Sequence, residues 1–116
     1  MKKNVTINIV NTIGDVYGVE AEDGQKVFLR IVEAFKDGKK VTLSFQNIKI
    51  LTTAFLNTTV GQLYKDHTEE FIRENLNVSD ISESGKVSLK RVVDTAKLFY
   101  KDPEALKRSI EEMSEE

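Results

Sequence analysis

The stretch VTLSFQNIKILTTAFLNTTVGQLY (residues 41–64) decides the fold, because its hydrophobic spacing changes period partway along. Val41, Leu43 and Phe45 alternate with polar residues, as a strand with one buried face requires, and Ile48 and Ile50 carry the apolar content beyond it. From Ala54 onward Phe55, Leu56, Val60, Leu63 and Tyr64 recur at helical spacing in one apolar band. Thr52 and Thr53 stand at the change, where a helix start needs a side-chain oxygen for its unpaired N–H groups. A strand therefore runs into a helix through a threonine-lined turn.

Upstream, VTINIV (residues 5–10) alternates with Val5, Ile7 and Ile9 on one side and reads as a first strand. The connection NTIGDVYGVEAEDG is punctuated by Gly14, Gly18 and Gly24, with a short extra strand around Val16 to Val19. In QKVFLRIVEAFKDGKK, residues Val27, Phe28, Ile31, Val32 and Phe35 form a helical stripe that Gly38 ends. Strand, helix, strand is the pattern of a parallel crossover.

Downstream, HTEEFIRENL predicts a short helix begun by Thr68, and NVSDI a short strand holding Val78 and Ile81. GKVSLKRVVDTAKLFYKD predicts a longer helix capped by Ser84 or Ser88, with Leu89, Val92, Val93, Ala96, Phe99 and Tyr100 on its core face. Asp102 and Pro103 mark the start of a last helix, whose stripe of Leu106, Ile110 and Met113 suits docking on the domain or on a second copy in a homodimer. The expected architecture is an α/β unit of two or three layers, with one domain over residues 1–102 and a C-terminal helix over 103–116.

At 116 residues the chain is long enough for one hydrophobic core. It has no cysteine, which excludes disulfides, thiolate metal sites and thiol nucleophiles. Seventeen basic against nineteen acidic residues give a formal charge of −2, against the usual electrostatics of a nucleic-acid binder. Neither a signal peptide nor a membrane span is expected, so the location expected is the cytoplasm, with no membrane partner.

Chemistry has little foothold. His67 is the only histidine, beside Asp66 and near Glu69 and Glu70, and one imidazole among local carboxylates makes a poor metal site; a solvent-facing turn residue is expected. GDVYG lacks the spacing of a phosphate cradle, and the hydroxyls of Thr42 and Ser44 have no evident base. The acid pairs Glu20 with Glu22 and Glu69 with Glu70 read as solubility charges, and Lys26, Arg30, Lys90, Arg91 and Lys97 as solvated faces. No catalytic residue, metal or cofactor is assigned.

The element order, with the strand VTLSF, the hinge QNIKILTTAF and the amphipathic helix after it, resembles the STAS fold of bacterial anti-sigma factor antagonists. More specifically, VTLSFQNIKILTTAFLNTTVGQLY and the later LKRVVDTAK are similar to the STAS-like domain family DUF4325, a resemblance that spans Lys3 to Tyr100. It implies a non-enzymatic regulatory module whose turn and helix face a protein partner, such as a histidine-kinase-like ATPase or a phage-related protein. In the antagonists that turn carries Asp-Ser-Ser-Gly, whose second serine is phosphorylated by a partner kinase. The matching residues here are Thr52, Thr53, Ala54 and Phe55, so Ala54, which has no hydroxyl, falls on the phosphoacceptor.

A slip of one residue instead presents Thr53, the candidate phosphorylation site, where a phosphate adds about −1.5 to −2 charges beside the helix start. The partner-contact residues expected are Thr52, Thr53, Asn57, Thr58 and Gln62, the last three being the polar helix members least needed by the core. The rival expectation is a sensor of a nucleotide or other small anion, held by the free N–H groups of the same helix start.

Overall fold

The computed structural model describes residues 2–101. In chain order these form β1 (Asn4–Asn8), α1 (Ile9–Ile13), β2 (Tyr17–Gly18), α2 (Ala21–Lys36), β3 (Lys40–Ser44), β4 (Ile50–Leu51) and α3 (Thr53–Leu56). A π-helical segment (Asn57–Gly61), α4 (Leu63–Asp66), α5 (Glu69–Asn75), β5 (Leu76–Ser79) and α6 (Glu83–Lys101) follow. The alternating α/β class expected from the sequence is present. The expected helix over 103–116, with its Pro103 boundary and its stripe of Leu106, Ile110 and Met113, lies outside the described residues.

β1, β3 and β5 form a parallel sheet in that order, and β2 and β4 a second, two-stranded parallel pair. Register aligns Val5 with Val41 and Leu76, and Ile7 with Leu43 and Val78, so one sheet face is apolar. The neighbouring row, Thr6, Thr42 and Asn77, lies on the opposite face, where Asn4 donates to Thr42 Oγ1 at 3.2 Å. Thr6 and Asn77 are exposed and Thr42 half-buried, so the helices cover one side and the arrangement is two-layered around the sheet.

On the apolar side, α2 packs on β1 and β3, and α5 on β3 and β5. The helical run 53–66 is wedged between α2 and α6. Its Phe55, Leu56, Val60 and Leu63 join Ile9, Val27, Ile31, Val41 and Leu43 in a single core.

Several elements depart from the sequence expectation. The first strand stops at Asn8, because the Asn8 side chain accepts from Asn11 N at 2.9 Å and starts α1, so Ile9 enters the core from a helix. Gly14 ends that helix at φ 75°. α2 begins before its apolar stripe, with Glu22 and Asp23 in its first turn, where the helix dipole favours acid. α6 is capped by neither Ser84 nor Ser88: Ser82 Oγ accepts from Gly85 N at 3.0 Å.

Candidate functional site

Thr52 organises the strand-to-helix turn. Its N–H donates to Gly18 O at 3.0 Å, extending the β2–β4 ladder, and its hydroxyl donates to Val19 O at 2.8 Å. The same oxygen accepts from Phe55 N at 3.1 Å, and the Thr52 carbonyl takes Leu56 N at 3.1 Å. The cap expected at either threonine is thus Thr52, whose hydroxyl is occupied as donor and acceptor. Thr53 is the first helical residue and is exposed, as is Ala54. Phe55, which falls on the antagonists' glycine, is fully buried against Gly18.

Past this turn the helix widens. Gln62 N bonds to Asn57 O at 2.9 Å, one residue further back than an α-helical bond reaches. Two threonines accompany the change: Thr58 Oγ1 donates to Ala54 O at 3.1 Å and Thr59 Oγ1 to Phe55 O at 2.8 Å, each competing for the carbonyl that an α-helical N–H would take. Glycine permits the packing on both flanks. Gly24 of α2 lies against Phe55 O and Thr59, and Gly61 faces Val92 and Ala96 of α6.

Of the polar trio expected to face a partner, only Asn57 is exposed. Thr58 is half-buried and bonded within its helix, and the Gln62 amide is tied to Gln25 Oε1 at 2.9 Å and Thr58 O at 2.8 Å. The polar residue that sequence reasoning passed over is Thr59, wholly buried and bonded to two carbonyls. The outward strip is therefore Thr53, Ala54 and Asn57. Tyr17 and Ile50, aligned in the β2–β4 pair just before it, are 46% and 52% exposed.

A second concave region opens at the carboxyl ends of β3 and β5. This cavity of about 540 Å³ is bounded by the 45–49 loop, Leu51 and residues 80–88, with Lys49, Asp80, Ser82, Ser84 and Ser88 among its polar groups. Asn47 and Asp80 turn the chain beside it at φ 67° and 57°. It borders the Thr52 turn at Leu51, and in that turn the Phe55 N–H is already taken by the Thr52 hydroxyl, so the rival anion reading finds one free donor fewer there than expected.

His67 is not solvent-facing. It is half-buried, stacked on Phe71 at 5.2 Å and edge-on to Phe35 at 5.3 Å, and its Nδ1 lies 3.1 Å from Leu63 O, so it fills the joint between α4 and α5. Glu69 is likewise structural, accepting from Lys97 Nζ at 2.9 Å and Arg73 at 2.8 Å, which ties α5 to α6. The Lys97 hydrogen bond holds the Glu69 carboxyl below its ordinary pKa, and the same bond holds the Lys97 ammonium above its own. Burial raises the neighbouring Tyr64 hydroxyl. Among the described residues no cluster of acids and histidine can hold a metal, and no helix is long and apolar enough to cross a membrane.

Residues 23–86, from the first turn of α2 to the first turn of α6, match the family described as STAS-like domain of unknown function (DUF4325). No curated protein and no solved structure matches the chain.

Proposed function

Since the chain belongs to the STAS-like DUF4325 family, we propose that it binds a protein partner through the turn and helix of residues 52–62. STAS-like domains are non-catalytic regulatory modules, and a histidine-kinase-like ATPase is the partner class that the antagonist resemblance favours. The observation that carries the proposal is the division of labour along the turn. Thr52, Phe55, Thr59 and Gln62 are committed to the fold, while Thr53, Ala54 and Asn57 project outward with no comparable duty. Rigid backbone presenting small exposed side chains suits recognition by another surface.

The contacts proposed from sequence at Thr52, Thr58 and Gln62 then act by shaping the strip, and Thr53 and Asn57 by direct touch. Thr53 is also the residue at which a phosphate would regulate binding, since it is exposed at the helix start and its modification leaves the Thr52 cap in place. The test is capture of partners from native cells on tagged full chain, wild type against Ala54→Arg and Asn57→Arg, with mass spectrometry of Thr53. One protein retained by wild type and lost from both variants is expected. Equal capture by all three would remove the strip from consideration, and a Thr53 unmodified in both the captured complex and the unbound chain would remove the switch.

A further inference from the structure

β1 is an outer strand of its sheet, and among the described residues no strand pairs with its second edge. Lys40 N donates to Lys3 O, so Lys3, Val5 and Ile7 turn their main-chain groups toward β3, and those of Asn4, Thr6 and Asn8 point outward. Of these the Asn8 carbonyl is taken by the Thr12 hydroxyl at 2.8 Å. An edge of unpaired N–H and C=O groups is a template for another strand. Beside it a groove of about 450 Å³ runs between β1 and α2, with Val5, Ile7, Arg30, Glu33, Ala34 and Asp37 in its lining. Arg30, Glu33 and Asp37 continue an α2 stripe that begins at Lys26 and Leu29, and all five are exposed. Among the described residues Arg30, Glu33 and Asp37 form no ion pair, and Lys26 pairs with Asp23 at 3.3 Å.

This stripe is its own complement when reversed. Laid antiparallel to a second copy, Lys26 falls level with Asp37, Leu29 with Ala34 and Arg30 with Glu33, all about one midpoint between Ile31 and Val32. We infer that the chain forms a homodimer in which β1 pairs antiparallel with β1 of a second copy and α2 packs on α2. Centred on Thr6, the strand register lets Thr6 exchange both main-chain bonds with its own copy, and each Asn8 N–H reach the other Asn4 carbonyl. Val5 then stands across from Ile7, which continues the apolar face of the sheet. Val5 and Ile7 flank Thr6 as Arg30 and Glu33 flank the helix midpoint, and all four line one groove, so a single twofold axis serves strand and helix. The spacing agrees. With strands about 4.8 Å apart and α2 seated over β1 and β3, the two α2 axes lie about 10 Å apart, which is helix-packing distance. Gly24, which faces the π segment, is half a turn round α2 from Glu33, so this face lies away from the partner strip and the inference goes beyond that proposal.

Sedimentation of the full chain over a range of concentrations tests it, with circular dichroism checking the fold of each variant. Wild type is expected to reach twice the chain mass. Arg30→Glu sets acid against acid and Glu33→Arg base against base, and each is expected to weaken the dimer at least about tenfold. An equimolar mixture of the two, and the double variant carrying both changes, restore opposite charges between positions 30 and 33 and are expected to dimerise. In wild-type dimer the Thr6 amide is expected to exchange with solvent at least about tenfold more slowly than in Arg30→Glu. A wild type that stays monomeric would overturn the inference and leave the edge to a strand of another protein. Single variants that dimerise as tightly as wild type would overturn it by assigning the dimer to another face. Failure of either the mixture or the double variant to dimerise, or a Thr6 amide that exchanges equally in dimer and monomer, would overturn it as well.

Discussion

Replacing Gly24 by alanine should destabilise the protein, although the same change within a helix ordinarily stabilises by about 0.5–1 kcal/mol. A Cβ at Gly24 falls 2.8 Å from Phe55 O and 3.1 Å from both Thr58 Cβ and Thr59 Oγ1. The nearest of these is backbone, and the Thr59 hydroxyl is held by its bonds to Phe55 O at 2.8 Å and Gly24 O at 3.3 Å. Relief therefore requires α2 to move off the π segment. Overpacking of this kind costs about 1–3 kcal/mol, and weakening the Thr59 bonds about 1 kcal/mol more. After the helix-propensity gain is subtracted, a net loss of about 2 kcal/mol remains, or about 10 °C in Tm for a domain of this size. Urea unfolding followed by circular dichroism measures it, with Gly61→Ala as the comparison. A Cβ there meets Asn57 Oδ1 and Val92 Cγ1 at 3.4 Å, so the change should stay within about 1 kcal/mol of wild type. A Gly24→Ala protein as stable as wild type would refute the close packing of α2 on the π segment.

Thr52→Ala should cost about 2 kcal/mol in urea unfolding, from the lost cap and the lost bond to Val19 O, and Thr52→Ser should recover most of it. Thr53→Ala should fall within about 0.5 kcal/mol of wild type, and the opposite ranking would move the cap to Thr53. The Glu69–Lys97 link should shape stability at both ends of the pH scale. The depressed Glu69 carboxyl stabilises above its unfolded pKa, and that contribution fades as pH falls through the lower folded value. The raised Lys97 ammonium stabilises below its unfolded pKa, and its contribution is lost as pH rises through the higher folded value. Glu69→Gln should flatten the acid side of the stability profile, and a profile identical to wild type would leave the link without thermodynamic weight.

The parallel sheet and its covering helices were legible because period is a property of sequence: Val41, Leu43 and Phe45 alternate, and Val27, Ile31 and Phe35 recur by turns. What stayed hidden depends on partners distant in the chain. Nothing near Thr52 says that its hydroxyl will find Val19 O across the β2–β4 pair, so the two threonines looked equivalent until the strand positions were fixed. His67 resembled a surface residue by its acidic neighbours, yet it packs against Phe35 and Phe71, one arriving from another helix. The π segment has a local signal in Asn57-Thr58-Thr59, but adjacent threonines in a helix are read as weak propensity and only their carbonyl partners show the widened turn. α1 was missed because Ile9 continued the strand alternation while the Asn8 cap had already ended it.

The order β1, β3, β5 across the sheet has a consequence for how the chain is made. Asn4 meets Lys40 and Val41 meets Leu76, so each pairing closes over an intermediate span and neither requires the far end of the chain. On a ribosome β1, α2 and β3 can assemble before β5 has been synthesised, and β5 then adds to the free edge of β3. The last unit added, β5 with α6, is then the one whose detachment leaves the founding strand pair intact, and the Thr52 turn lies between the two along the chain.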